Sequence, residues 1–145
     1  MWGHVRGCIA KTKRMPLVIL TGGPCVGKSF VAGAIAEALT ADGWDVDTVS
    51  EDTLRLPRAT VYGSGGAEKQ ARAAILAHVE RRLAASRVVI VDAMNYIKGF
   101  RYQLWCSCKE GTGPSCVVNV SGSPEASVAA NSARPAASDS YPGGA

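Results

Sequence analysis

Apolar positions along the chain follow two rhythms. The runs Leu17 to Thr21 and Arg87 to Asp92 are almost unbroken stretches of aliphatic and β-branched residues. Both predict strands, and the second, which lacks the polar alternation of a strand with one wet face, predicts one buried on both sides, as in a parallel sheet. Elsewhere the spacing is helical. Val31, Ile35 and Leu39 recur within Lys28 to Leu39, and Ala71, Ile75, Val79 and Leu83 repeat every four positions from Ala67 to Leu83. On that second helix Glu68 can pair with Arg72 one turn on. Phe100 to Lys109, with Tyr102, Leu104 and Trp105, predicts a further helix, and Val46 to Val49 and Cys116 to Val120 predict further strands. Asp42 and Gly43 break the chain, and residues 53–66, with Pro57 and the run Gly63 to Gly66, read as a connection. That glycine run is a flexible lead into the next helix rather than a phosphate loop, because no strand feeds directly into it.

Strands alternating with helices specify an α/β domain with right-handed crossovers. The alternation spans residues 15–120, and the character changes on both sides of it. Residues 121–145 are dominated by Ser, Ala, Gly and Pro, with only Glu125, Arg134 and Asp139 charged, and are expected to be disordered. Residues 1–14 hold Arg6, Lys11, Lys13 and Arg14 with no acid. Those four carry the whole formal net charge of +4, so the remainder is balanced. The basic arm fits a short targeting peptide, a tail that meets phosphates, or a start upstream of Met15.

With 145 residues, 47% hydrophobic and 19% charged, the chain has enough material for one domain with its own core. The apolar runs fall far short of the roughly 20 residues that cross a bilayer, so no membrane association is expected. The cysteines, Cys8, Cys25, Cys106, Cys108 and Cys116, form no CxxC pair, and His4 and His78 complete no zinc pattern. Their odd number argues against a disulfide framework and for reduced thiols in a cytoplasmic or nuclear setting.

The sharpest chemical signal is the octapeptide Gly22, Gly23, Pro24, Cys25, Val26, Gly27, Lys28 and Ser29, which fits GxxxxGK followed by Ser or Thr. It sits between a buried strand and a helix, with Phe30 in that helix's first turn. Backbone N–H groups in that context form an anion nest backed by the positive end of the helix. Lys28 is expected to reach the β- and γ-phosphates of ATP, and Ser29 to complete the shell of a magnesium ion. A phosphate loop also needs an acid on the metal side, and Asp92, closing Val-Val-Ile-Val-Asp, is placed for it. Glu51 and Asp52 follow the second strand, where a nucleophile is oriented. They fit a helix cap or solvated loop equally well; for a reaction that needs a base, Asp52 is the candidate. Cys25 serves chiefly as a small spacer, and its alkylation is expected to block nucleotide binding.

The stretch Val88 to Cys106, with Met15 to Ser29 upstream and Val61 to Leu83 between, resembles the KTI-twelve type of Elongator-associated ATPase, a family related to the kinase that phosphorylates seryl-tRNA for selenocysteine. The run Asn95 to Tyr102 is its specific part. The resemblance implies a kinase-like P-loop domain, a three-layer sandwich with a mainly parallel sheet, that hydrolyses ATP with Mg2+. It also implies two partners, the Elongator complex and tRNA, in modification of the wobble uridine; no DNA partner is expected. Family members extend beyond the position of Ala145 into a tRNA-binding half, so the chain corresponds to their N-terminal ATPase portion, truncated C-terminally. Matched by motif, Lys28 and Asp92 support hydrolysis. Arg134, in an Asn-x-x-Arg element with Asn131 that follows Pro124 and Glu125, is the lid arginine. The sequence departs from the family at Val26 and at Ala130, where an aromatic commonly stands.

Two rival readings stand beside this one. A kinase acting on seryl-tRNA or a small hydroxyl compound would need a positioned base. A non-enzymatic, nucleotide-bound adaptor would instead present the Tyr and Arg residues near 96–102 to a protein partner.

Overall fold

The structure is a computed structural model that describes residues 17–83, 87–110, 113–134 and Tyr141. The basic arm of residues 1–14 lies outside the described residues. Four strands, β1 (Leu17–Thr21), β2 (Asp45–Ser50), β3 (Arg87–Asp92) and β4 (Ser115–Asn119), form one sheet in the order β2-β3-β1-β4. Every pairing is parallel, so each requires a crossover. The helices are α1 (Lys28–Ala41), α2 (Arg58–Val61), α3 (Gly65–Arg82), α4 (Lys98–Glu110) and α5 (Pro124–Ser132).

Alternation along the central strands builds two half-cores. Leu17 and Ile19 of β1, Val49 of β2 and Val89 and Val91 of β3 pack with Ile75, Val79, Phe100 and Leu104 from α3 and α4. Val18, Leu20, Val88 and Ile90 face the other way, onto Ala32 with Val31, Ile35 and Leu39 of α1. Helices thus cover both faces, giving the α/β class that the alternation predicts in the three-layer arrangement that the resemblance implies. Because both faces of β1 and β3 are buried, the runs Leu17 to Leu20 and Val88 to Val91 are continuously apolar. β4 is an edge strand with Val117 exposed, and its signal is weaker.

The chain leaves β1 for α1 on one face and β3 for α4 on the other, although the two strands are neighbours. Their carboxyl ends therefore flank the crevice where open α/β sheets bind ligands. Asn95 ties this point together: its amide donates to the carbonyls of Leu20 (2.7 Å) and Val91 (3.3 Å), bridging β1 and β3. The Thr21 hydroxyl donates to the carbonyls of Met94 and Asn95.

The structure corrects the expected disorder after residue 120 over the part it describes. Pro124–Ser132 is helical, capped by the Ser123 side chain, which accepts from the Ala126 N–H, with Pro124 at the first position. A Ser cap followed by Pro and Glu125 is a helix-start signature that outweighs the Ser- and Ala-rich composition. The connection over 53–66 also contains a short helix, α2, and α3 begins at Gly65 because the Ser64 hydroxyl accepts from the Ala67 N–H.

Candidate functional site

The phosphate loop links β1 to α1 through three positive φ angles, at Gly22 (150°), Cys25 (56°) and Gly27 (92°). Gly22 is needed for space as well: a Cβ there would lie 2.1 Å from the Val120 carbonyl oxygen, because the loop passes against the end of β4. α1 has Gly27 at its N-cap, no capping side chain and no acid in its first turn. Its leading N–H groups and positive dipole end are thus presented to an anion rather than to the protein's own oxygens.

Lys28 is buried, and its ammonium donates to the carbonyls of Gly22 (3.3 Å) and Gly23. Burial pushes its pKa below the usual lysine value, opposed by the charges of Asp92 and Glu51. A bound phosphate would compete with the two loop carbonyls for this ammonium.

A cavity of about 260 Å³ opens beside the loop, lined by Cys25, Gly27, Lys28, Ser29, Phe30, Asp92 and Arg134. These are seven of the residues expected to serve nucleotide or metal. The others named for the loop, Gly22, Gly23, Pro24 and Val26, line a separate cavity toward Asn119 to Gly122. Asp92 pairs in register with Leu20 of β1 and Ser50 of β2, which sets its buried carboxylate level with the root of the loop.

Ser29 and Asp92 are hard oxygen donors on one cavity, which suits magnesium. Among the described residues no group of three or more His, Cys, Asp or Glu is placed to hold a metal.

The turn after β2 divides the two candidate acids. Asp52, expected as the base, points to the rim: its side chain is 64% exposed and grips Arg58 end-on, at 2.8 and 2.6 Å. Glu51 is 2% exposed and lines the cavity with Lys28 and Asp92. The difference between the two has a local setting, the hydrogen-bonded turn Ser50 to Thr53 on which they are adjacent. Burial raises the Glu51 pKa, while a hydrogen bond donated by the Tyr62 hydroxyl and the charge of Arg58 oppose that rise.

Arg58, at the start of α2, and Tyr141, which returns from beyond α5, line the cavity with no sequence signal, whereas Glu51 is one of the two acids expected after β2. Asn131 fixes Tyr141 by accepting from its N–H (2.9 Å) and donating to its carbonyl (3.1 Å). The Arg134 Nε–H donates to the Cys25 sulfur at 3.4 Å, and the Cys25 thiol in turn faces Asn131 Oδ1 at 3.7 Å. Asn131 and Arg134 therefore do meet the loop, through a helix whose only sequence clue was its capping signature. Of the Asn95 to Tyr102 stretch, Asn95 and Phe100 are buried, whereas Tyr96 and Tyr102 are exposed.

The family model for chromatin associated protein KTI12 matches residues 15–142. A KTI12 homolog of Xenopus laevis is 41% identical over 113 residues, which is 78% of this chain and 41% of that protein. The human homolog is 45% identical over 105 residues, 72% of this chain and 30% of its own length. The chain thus spans well under half of these relatives. Among solved structures, Chaetomium thermophilum Kti12 in complex with ADP-AlF3 superposes with a TM-score of 0.75 at 37% identity, over 87% of this chain and 73% of that one. The Mycobacterium tuberculosis APS kinase CysC gives 0.61 at 23% identity, over 74% of this chain and 76% of that one, a likeness of fold. The fold is accordingly that of the P-loop kinases, and the chain belongs to the KTI12 family.

Proposed function

We propose that the chain binds MgATP at residues 22–29 and hydrolyses it, as the ATPase portion of an accessory factor that serves Elongator in tRNA wobble-uridine modification. The observation that carries the nucleotide reading is the convergence of Lys28, Ser29, Glu51 and Asp92 on one cavity at the carboxyl ends of β1, β2 and β3. The solved relative holds ADP-AlF3, which supports nucleotide chemistry at the corresponding fold position. The Elongator and tRNA parts are supported by family membership.

The loop amides and Lys28 would hold the phosphates and stabilise charge on the transferring group. Ser29 and Asp92 would hold magnesium, whose chemistry is to neutralise phosphate charge. Glu51, with its pKa raised by burial, is the group on the acceptor side suited to orient a water and take its proton.

The test is ATP hydrolysis by the purified chain, with and without tRNA. Hydrolysis stimulated by tRNA supports the proposal as a whole. Transfer of label from ATP to seryl-tRNA would replace water with a hydroxyl acceptor at the same site. Intact ATP together with capture of Elongator subunits would replace the enzyme by an adaptor.

A further inference from the structure

Arg58 opens the four-residue helix α2, directly after Pro57. Nothing in the sequence marks it, yet its side chain is only 7% exposed and lines the same cavity as Lys28, Ser29, Glu51 and Asp92. Its charge reaches both sides of the site, depressing the Lys28 pKa and opposing the rise at Glu51. Burying a guanidinium is costly unless anions surround it, and a carboxylate that is itself largely in water returns little. Asp52 is such a carboxylate. Tyr141 is a second partner, through a side-chain hydrogen bond and through its ring, whose centroid lies 6.0 Å from the guanidinium carbon. Lys28, Arg58 and Arg134 bring three cations to the cavity wall, an arrangement that suits a polyanion.

We propose that Arg58 contacts the terminal phosphate of the bound nucleotide as a catalytic arginine supplied from within the chain, and that Asp52 is its positioning residue. The end-on fork to Asp52 fixes the guanidinium plane at the cavity wall. In hydrolysis the water oxygen bonds to the γ-phosphorus. The bond from that phosphorus to the β–γ bridging oxygen breaks, its electron pair leaving on ADP, and the water proton passes to Glu51 and then to solvent. The products are ADP, inorganic phosphate and a proton. Arg58 meets the negative charge carried by the γ-phosphoryl oxygens during this transfer. A lysine, with neither the planar fork nor the bidentate pairing, is a poor replacement.

This inference rests on the nucleotide reading above, and its test separates the two. The full chain and its Arg58→Ala, Arg58→Lys and Asp52→Asn variants are titrated with MgADP, MgATP and MgADP plus aluminium fluoride, and turnover is measured. Arg58→Ala is expected to lower kcat by about 100-fold or more, with ADP affinity held within about twofold and the affinity gained on adding aluminium fluoride lost. Arg58→Lys, which keeps the charge and guards against misfolding, should recover less than about a tenth of the rate. Asp52→Asn should lower kcat about tenfold with KM for ATP nearly unchanged, a split that a merely structural pair would not produce. If Lys28→Ala weakens both nucleotides while Arg58→Ala leaves turnover and the aluminium fluoride gain at wild-type levels, Arg58 has no such role and the nucleotide reading stands. A wild-type chain that binds neither ADP nor ATP overturns both.

Discussion

The two flanks of the nucleotide cavity are built on different principles. On the β1–α1 side the site is backbone: positive φ at Gly22, Cys25 and Gly27, a helix start with no side-chain cap, and one lysine folded over the loop. On the β2–α2 side it is side chains: Glu51 buried under Tyr62, and Arg58 held by Asp52. The backbone flank tolerates few sequences, because the chain must pass close to phosphate and to Val120, and so it announces itself as a motif. The side-chain flank depends on which of two adjacent carboxylates a turn sends inward. No spacing rule encodes that.

The comparison predicts that damage to the backbone flank removes binding, whereas damage to the side-chain flank spares binding and removes turnover. Lys28→Ala should produce the largest loss, about 1,000-fold in kcat/KM for ATP, with nucleotide affinity falling alongside it in calorimetric titrations. Comparable ATP affinity in that variant would break the distinction. Glu51→Gln should lower kcat about 100-fold while KM changes little, in steady-state assays run beside Lys28→Ala.

The same Glu51→Gln variant has a stability signature. A carboxyl whose folded pKa is raised favours the folded state in its protonated form. That contribution is complete below the ordinary glutamate value of 4.5 and is lost as pH rises through the folded value. Lys28, Arg58, Tyr62 and Asp92 surround the group, and burial outweighs the cations among them. Thermal melts of Glu51→Gln should therefore exceed wild type at pH 8, with the gap closing near pH 4. A gap that widens on acidification would show a carboxylate stabilised by its neighbours.

Gly22→Ala tests the backbone flank by bulk alone. Its Cβ would collide with the Val120 carbonyl, so denaturant unfolding should show a loss of roughly 1–3 kcal/mol together with weakened nucleotide binding. The smallest effect is expected for Tyr62→Phe, which removes the hydrogen bond to Glu51 and leaves the ring. A loss of about 1 kcal/mol in stability and a few-fold change in kcat would place Tyr62 as support for Glu51.

Much of the architecture was legible because burial on both faces leaves the interiors of β1 and β3, Leu17 to Leu20 and Val88 to Val91, without a polar residue, and because α3 repeats its apolar residues every four positions. Asp92 could be placed for the same reason, as the first polar group after a buried run. The helix α5 was obscured by composition, although Ser123, Pro124 and Glu125 spell its start. Choosing between Glu51 and Asp52 required the geometry of the turn, and Arg58 and Tyr141 required knowledge of which segments return to the cavity. Arg134 was reached only through family resemblance, since its approach to Cys25 crosses 109 positions of sequence.

The most direct measurement is nucleotide binding by the chain itself, in parallel titrations of MgATP into the wild-type protein and Lys28→Ala. One nucleotide per wild-type chain is expected, with a loss of about two orders of magnitude or more in affinity for the variant. A wild-type chain that binds no nucleotide, or a variant that binds it equally well, would contradict the assignment of residues 22–29 as a phosphate loop in use.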